Sequence, residues 1–598
     1  MQANLYALVA VAVVALITIG IGGFGVRFAR STSDFLVASR TVNPRWNAAA
    51  ISGEYLSAAS FLGIAGLVLK EGADALWYPV GFTGGYLALL LFVAAPLRRS
   101  GAYTLPDFAE LRLGSVEVRR VATLLVVILG WLYLVPQLQA AGLTITVLTG
   151  WANWVGVFLV ALVVIANVVV GGMRAITFVQ AFQYWLKLSA LAVPVFVLLV
   201  TQAGEYTHAR TTAGADAPPA FPADTTVQVE TDVILQVTEP LQLTAVGEVD
   251  NAEVDGTVYW GVGNHEVSED TTLGFSAGSA VPVVAGEPAH NDGWLQPMHG
   301  GSSEFPLFAT YSLIIATFLG TMGLPHVLVR YYTNPDGRAA RASTMLVLAL
   351  LGVFYLFPII SGMLARLYVP QLLVTGETDA AVLLLPGAVL DSWPARLLGG
   401  IVAAGAFAAF LSTASGLMVS VAGVLSTDVL TGRARDFRFA ALLAGLVPMA
   451  FALSVASMDI ARMVGLAFAV AASTFCPLLV LGIWWRKLTD VGAVAGLLLG
   501  GGLSVMAVVA TAVGIAPEGW FGAIVAQPAA VTVPLTFFTM VLVSKVTANR
   551  IPHDVARVLA RLHAPERLGL VPDAPPPRPG PAPLALPPAT SRAGRHRR

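Results

Sequence analysis

A glutamate stands inside a stretch that is long and apolar enough to cross a lipid bilayer. The stretch runs from Trp46 to Lys70 and contains Gly53, Glu54 and Ser57, whereas a membrane span needs about 20 residues. A carboxylate near the centre of a span costs at least ~2.5 kcal/mol. Because Gly53 weakens a helix, we predict that the span is interrupted and that its freed backbone groups face an internal cavity. The alternative is a continuous helix in which Glu54 lies near the cytoplasmic end and bonds to a neighbour.

Two adjacent hydroxyl residues, Ser412 and Thr413, lie in a later apolar stretch that is rich in small residues. Hard cations take oxygen ligands from carbonyls, hydroxyls and carboxylates. With the Ala409 carbonyl these hydroxyls can form half of a sodium site, and the carbonyls of Gly53 and Leu56 can complete it from the interrupted span. The alternative is that both hydroxyls bond within their own helix or to a neighbouring one, as is common in membrane helices.

A short carboxylate could bind at the start of the second half of the interrupted span. The free N–H groups there and the Ser57 hydroxyl are suitable donors. Further candidates for contacts with a solute are Tyr55, Gln137, Phe318, Gly320 and Thr321. The alternative for each is plain helix packing. Lys187 is expected to extend its amine to the cytoplasmic interface, so no buried Lys or Arg is assigned as a counter-ion.

The composition places these residues in a polytopic membrane protein. The 598 residues are 56% hydrophobic and 12% charged, whereas soluble proteins have about 25% charged residues. Cys476 is the single cysteine, so no disulfide can form within the chain. The sequence has no Cys/His metal spacing, phosphate loop or nucleophile elbow, which disfavours an enzyme.

Hydropathy and the positions of Lys and Arg predict about thirteen spans, with the N-terminus outside and the C-terminus in the cytoplasm. Spans one to six lie in residues 1–202 and spans seven to thirteen in 305–545. Gly320, Gly323 and Pro325 interrupt the seventh span. The second and seventh spans are five helices apart and enter from opposite sides, which predicts two inverted repeats around a transport site.

Three segments lie outside these spans. Residues 203–304, here called the insert, are acidic and extracytoplasmic, and their alternating Val and Thr residues predict a β-rich domain between Thr225 and Val284. The alternative is a disordered acidic loop, and an unknown partner could bind there. Residues 546–570 form a cytoplasmic amphipathic segment, and 571–598 form a Pro-rich, basic, disordered tail.

Several long motifs occur in order along the chain. They are SDFLVASR (33–40), GEYLSAASFLGIAGLV (53–68), YTLPDFAELR (103–112), GGMRAITFVQAFQ (171–183), GTMGLPHVLVRYYTNPDGRAARAS (320–343) and AAFLSTASGLMVSVAGVLSTDVL (408–430). By these motifs the chain resembles the sodium:solute symporter family, and within it the acetate/monocarboxylate permease branch. The similarity extends from about residue 1 to residue 545, outside the insert.

The resemblance implies an all-α, leucine-transporter-type fold with ten core helices in two inverted repeats. It also implies a sodium ion between the second and ninth spans. Its ligands would be the carbonyls of Gly53, Leu56 and Ala409 and the hydroxyls of Ser412 and Thr413.

Two positions depart from the family pattern. Gln180 stands where many sodium-coupled relatives have Asp, and Glu54 comes one residue before Tyr55, the position at which proline-transporting relatives have Asp. Glu54 and Gln180 are therefore coupling candidates, and the coupling ion is either sodium or a proton.

The expected protein is a cation-coupled symporter of the cell membrane that imports a short monocarboxylate such as acetate, propionate or pyruvate. Its partners are the small carboxylate and the lipid bilayer; neither a nucleic acid nor an organic cofactor is expected. The alternatives are a symporter for proline, pantothenate or a sugar, a proton-coupled carrier, and a non-transporting sensor that uses the insert to bind a ligand.

Overall fold

The computed structural model describes residues 4–25, 42–201, 217–298, 303–390, 392–430, 434–454, 458–515 and 517–565. The motif at 33–40 and the predicted disordered tail at 571–598 lie outside these residues. So do residues 566–570 of the predicted amphipathic segment.

Helices make up the membrane part of the protein. They are α1 (Leu5–Gly25), α2 (Pro44–Tyr55), α3 (Ile64–Glu71), α4 (Trp77–Ala88), α5 (Ala94–Ser100), α6 (Leu105–Leu113), α7 (Val116–Thr149), α8 (Asn153–Thr201), α9 (Asn291–Leu295), α10 (Pro306–Gly323), α11 (Pro325–Tyr332), α12 (Gly337–Tyr368), α13 (Leu372–Thr375), α14 (Ala381–Val389), α15 (Ser392–Val424), α16 (Ala434–Ser454), α17 (Ile460–Trp484), α18 (Asp490–Val513), α19 (Gly519–Ala526), α20 (Ala529–Val546) and α21 (Val555–His563).

Eleven helical segments within the described residues are long and apolar enough to cross a membrane. This is a multi-pass membrane protein. The count differs from thirteen for two reasons. The segment Ala59–Ser100 runs through parts of two predicted spans, and the fifth and sixth predicted spans lie in the single helix α8. The thirteen spans, the inverted repeat and the orientation of the termini stay predictions.

Two helices are interrupted near the middle of the bundle. The first interruption separates α2 from α3: α2 ends at Tyr55, Leu56 has a ψ of 88°, and a π-helical turn over Ala59–Gly63 leads into α3. The second lies at Leu324, which is extended with φ −75° and ψ 112° between α10 and α11. Both interruptions occur in the spans for which the sequence predicts them.

Local sequence signals explain where several of these helices begin and end. The Ser115 hydroxyl accepts a hydrogen bond from Val118 N at the start of α7, and Gly150 follows the helix with a φ of 71°. Thr104 and Asp107 form a reciprocal capping box on α6. Such caps satisfy backbone groups that have no partner inside the helix.

The insert contains an antiparallel sheet whose strands begin at Thr225 and end at Val284, the limits that its Val and Thr pattern predicts. The strands are β1 (Thr225–Gln228), β2 (Val233–Val237), β3 (Leu241–Val249), β4 (Ala252–Trp260), β5 (Gly263–Val267), β6 (Thr272–Phe275) and β7 (Val283–Val284). Their order in the sheet is β1-β6-β3-β5-β2-β7, and β4 pairs with β3. Asp250 and Asn251 turn the β3–β4 hairpin with φ of 51° and 61°, as a two-residue hairpin turn requires.

A short helix fastens the insert to the membrane helices. The indole N–H of Trp294 in α9 donates to the Val68 carbonyl at 2.7 Å, and the Arg366 guanidinium lies 4.9 Å from the centre of the indole ring. The apolar core of the sheet also continues onto helix ends through Leu69 and Leu364. The insert is therefore packed against the bundle.

Candidate transport site

The first helix interruption brings together every residue of the predicted sodium site. Thr413 Oγ1 donates to the Glu54 carbonyl at 2.6 Å, and Ser412 Oγ donates to the Ala409 carbonyl at 3.0 Å. Both hydroxyls are buried in α15, and Gly53 and Leu56 lie opposite them at the end of α2. Assignment of sodium to these five residues stays a prediction.

The side chain of Lys187 enters this site from α8. Its ammonium donates to the Leu56 carbonyl at 2.6 Å, to Ser412 Oγ at 3.0 Å and to the Gly53 carbonyl. We call these three oxygens the lysine cradle. Lys187 is fully buried, so the expectation that it extends to the cytoplasmic interface is wrong. The interrupted helix provides carbonyl acceptors deep in the bundle, and they satisfy the ammonium there.

A buried ion pair lies beside the lysine cradle. The Glu54 carboxylate accepts from Arg330 Nε, and the two side chains are only 2% and 1% exposed. Arg330 also donates to Thr177 Oγ1 at 2.9 Å and to Gln180 Oε1. Gln180 Nε2 then donates to the Ser412 carbonyl at 2.8 Å. The two coupling candidates, Glu54 and Gln180, thus belong to one hydrogen-bonded network that reaches α15.

The sequence predicts no buried Arg or Lys as a counter-ion for the solute, and the buried Arg330 pairs with Glu54. The helix α11 continues to Tyr332 and keeps Arg330 inside the bundle. The aromatic residues Tyr331 and Tyr332, both buried, were the signal that the buried helix continues past the arginine.

Two glycines allow the helices of this network to approach closely. A Cβ on Gly53 would lie 2.1 Å from the Gln180 carbonyl oxygen, and one on Gly416 would lie 2.1 Å from Glu54 Oε1. Gly53 lies within α2, so its role is close packing against α8 and the helix ends two residues later.

Polar atoms that could bind a solute lie on the other side of the interruption. Gln137 Oε1 accepts from Ala58 N at 2.9 Å, whereas Gln137 Nε2 is buried with no hydrogen-bond partner among the described residues. One turn earlier on α7, the Tyr133 ring lies 5.3 Å from the ring of His326, which follows the second interruption. The two helix interruptions therefore border the same polar region, and the buried Ser57 lies at the first of them.

Of the remaining predicted solute contacts, Tyr55 and Thr321 lie close to each other through their hydroxyls, whereas Gly320 and Phe318 have packing contacts. The Tyr55 hydroxyl lies 2.9 Å from Thr321 Oγ1 and so links the two interrupted helices. Gly320 packs against the Phe468 carbonyl, and Phe318 packs against Gly84 on α4. Gly320 and Phe318 thus have packing contacts, and the structure does not bring them to Gln137.

A cavity of about 540 Å³ opens at the end of the bundle that carries the insert. Tyr78 lines it, and the Tyr78 ring contacts the Phe82 ring, which in turn contacts Tyr55. Phe82 also lies 4.7 Å from the Phe468 ring. These aromatic side chains form a layer between the cavity and the first helix interruption.

A cluster of charged side chains reaches the same cavity through Glu71 and Arg462, which line it. Lys70 contacts Glu287 at 3.2 Å and Asp459 at 3.4 Å, and Arg462 contacts Glu71 and, at 3.2 Å, Asp459. We call these five residues the insert-end cluster. Burial raises the pKa of Glu287, and the nearby Lys70 ammonium opposes this shift. Because Glu287 belongs to the insert, the cluster joins the insert to α3 and α17.

A helical membrane bundle with two interrupted helices around buried polar groups is the architecture of a secondary transporter. The sequence model of the sodium:solute symporter family matches residues 35–246 and 289–500. The chain belongs to this family. The protein is accordingly a cation-coupled symporter that binds a small solute.

Individual relatives agree with this classification. An uncharacterized symporter of Cupriavidus necator is 28% identical, with 87% of this chain and 88% of that protein covered. A monocarboxylic acid transporter of Corynebacterium glutamicum is 29% identical, with 79% and 78% covered. Among solved structures, a Na+-coupled sialic acid symporter in a substrate-bound, outward-open state has a TM-score of 0.59 at 12% identity. It covers 90% of this chain and 98% of that chain, which shows a shared fold.

Proposed function

We propose that this protein imports a short monocarboxylate such as acetate, propionate or pyruvate together with a cation. The observation that carries the proposal is the unpaired Gln137 Nε2 beside the interruption between α2 and α3. The name of the monocarboxylic acid transporter among its relatives supports the substrate class.

The polar groups at the interruption suit a small anion. A buried polar group without a partner destabilises a protein by about 1–3 kcal/mol, and a carboxylate oxygen would give Gln137 Nε2 an acceptor. The Ser57 hydroxyl and the N–H groups that begin the second half of the helix are further donors, favoured by the helix dipole.

Transport would proceed by alternating access around this region. The cavity at the insert end offers one entry path, and the aromatic layer of Tyr78, Phe82 and Phe468 would have to part for the solute to reach Gln137. The two interruptions, at Leu56–Ser57 and Leu324, are where the helices can bend. The family and the Na+-coupled structural neighbour favour sodium as the coupling cation, with a proton as the alternative.

Uptake by purified protein in liposomes tests the proposal. We expect labelled acetate to accumulate under an inward sodium gradient at fixed pH or under an imposed pH gradient. Gln137→Leu should raise the acetate concentration needed for half-maximal uptake by at least about tenfold, the effect of losing one charge-assisted hydrogen bond. Gln139→Leu, two residues along the same helix, is the matched control and should behave as the wild type.

A negative result would be equally clear. If folded protein accumulated none of acetate, propionate and pyruvate under either gradient, the substrate class would be wrong. The same liposomes would then be used to test proline, pantothenate and sugars.

A further inference from the structure

We infer that the Lys187 ammonium occupies the predicted sodium site as a built-in cation, so that this symporter does not bind sodium there. The inference deepens the proposed function, because it concerns the ion site of the same transport region. It rests on the contacts of Lys187 and not on the identity of the solute.

The hydrogen-bonding capacity of the ammonium matches the site. A lysine ammonium has three N–H donors and no acceptor. The lysine cradle presents three acceptors, the carbonyls of Gly53 and Leu56 and the hydroxyl of Ser412. These are the uncharged oxygens that a hard cation would need, and each already accepts an N–H of Lys187.

The charges around the cradle do not favour a second cation. Glu54 is the nearby carboxylate, and it is already paired with Arg330. Within the described residues, no carboxylate forms an ion pair with Lys187 itself, and Gln180, which approaches from α8, is neutral. A sodium ion that shared the cradle would lie beside an ammonium without an unpaired negative charge to offset the repulsion.

A tethered ammonium can replace the structural effect of a bound ion. Lys187 belongs to α8, and its contacts join the end of α2 to Ser412 on α15. A sodium ion in this place would hold α2 to α15 only while it was bound. The lysine holds the same elements at any sodium concentration, so a sodium ion that drives transport has to bind elsewhere.

Sodium binding by the purified protein, without solute, tests the inference. The unfolding temperature would be measured in sodium chloride and in choline chloride at equal ionic strength. A ligand that binds only the native state stabilises it by mass action. We expect Ser412→Ala to leave the sodium-specific shift of the wild type unchanged, because sodium that binds elsewhere does not use the cradle. Lys187→Ala, which empties the cradle, should gain a shift about 2–4 °C larger than that of the wild type.

Two further variants serve as controls. Lys187→Met removes the charge but keeps a side chain of similar length in the cradle, so its sodium-specific shift should be no larger than that of the wild type. The double variant Lys187→Ala/Ser412→Ala should lose the shift gained by Lys187→Ala, because it lacks one of the three oxygens.

Two results would overturn the inference. One is a sodium-specific shift in the wild type that Ser412→Ala abolishes, since it would place sodium in the cradle despite Lys187. This comparison does not require a Lys187 variant to fold. The other is a folded Lys187→Ala that gains no shift, since the cradle would then not be a cation site. A failure of acetate uptake would refute the substrate proposal and would leave these binding results unaffected.

Discussion

Two lysines of this protein are held in opposite ways. Lys70, at the insert end, contacts the carboxylates of Glu287 and Asp459, and its side chain is 12% exposed. Lys187, in the middle of the bundle, is fully buried and contacts two carbonyls and a hydroxyl. Acidic side chains neutralise the ammonium of Lys70, whereas uncharged oxygens bind the ammonium of Lys187.

The difference supports our proposal that the lysine cradle, and not the surroundings of Lys70, is the cation site. The carboxylates around Lys70 form ion pairs that join the insert to the bundle. The lysine cradle has no carboxylate of its own because Arg330 already pairs with Glu54. Uncharged oxygens around a single positive charge are the arrangement expected at an ion site.

The largest effect is expected from breaking the ion pair beside the cradle. Glu54→Ala leaves the buried Arg330 unpaired, which should lower the free energy of unfolding by about 3–5 kcal/mol and abolish uptake. Asp490→Ala is the control, because it breaks a pair whose Arg550 side chain is 56% exposed and should cost under about 1 kcal/mol. Chemical denaturation of both variants measures the loss of free energy of unfolding. Equal losses in the two variants would show that the pair of Glu54 and Arg330 does not stabilise the protein more than an exposed pair does.

A direct comparison of the two lysines should give the next largest effect. Lys187→Met leaves three buried oxygens without a donor, so uptake should fall at least about tenfold, the effect of 1.4 kcal/mol on a barrier. Lys70→Met should reduce uptake less than about threefold, because its ion pairs with Glu287 and Asp459 lie at the insert end and not at the helix interruption. Initial uptake rates in matched proteoliposomes measure both losses. A larger loss of uptake in Lys70→Met than in Lys187→Met would contradict the prediction.

Loss of one cradle oxygen should have a smaller effect. Ser412→Ala removes one acceptor of Lys187, a loss of about 1 kcal/mol, and should slow uptake about fivefold. If Lys187 fills the site, the sodium dependence of uptake should stay as in the wild type. Ser415→Ala, a buried position on the same helix, is the control, and a selective rise in the sodium requirement of Ser412→Ala would favour a bound ion.

The smallest effect is expected at Trp294, whose hydrogen bond to Val68 attaches the insert to the bundle. Trp294→Phe keeps an aromatic ring under Arg366 but loses the N–H that donates to Val68, which should cost about 1 kcal/mol. Hydrogen exchange of the insert strands should then become faster, with uptake nearly unchanged. Trp393→Phe changes an indole that is 65% exposed and should leave the exchange unaltered; equal exchange in both variants would show that Trp294 does not fasten the insert.

Much of the region around the lysine cradle could be predicted from the sequence. Gly53, Leu56, Ala409, Ser412 and Thr413 do come together, because a helix interruption frees carbonyls and small residues let helices approach. The sequence could not show that Lys187 would be buried among them. A lysine in a span can extend to the interface or remain inside, and the choice depends on acceptors supplied by other helices.

The sequence by itself determined the membrane class, the two interrupted helices and the limits of the β-sheet in the insert. These follow from local patterns: apolar length, Gly and Pro positions, and the alternation of Val and Thr. Only the tertiary structure decided the partners of the charges. Glu54 and Arg330 are 276 residues apart, and Lys187 and Ser412 are 225 apart. Such pairings depend on how distant helices pack, because a buried charge is stable only where its neighbours supply opposite charge or hydrogen bonds.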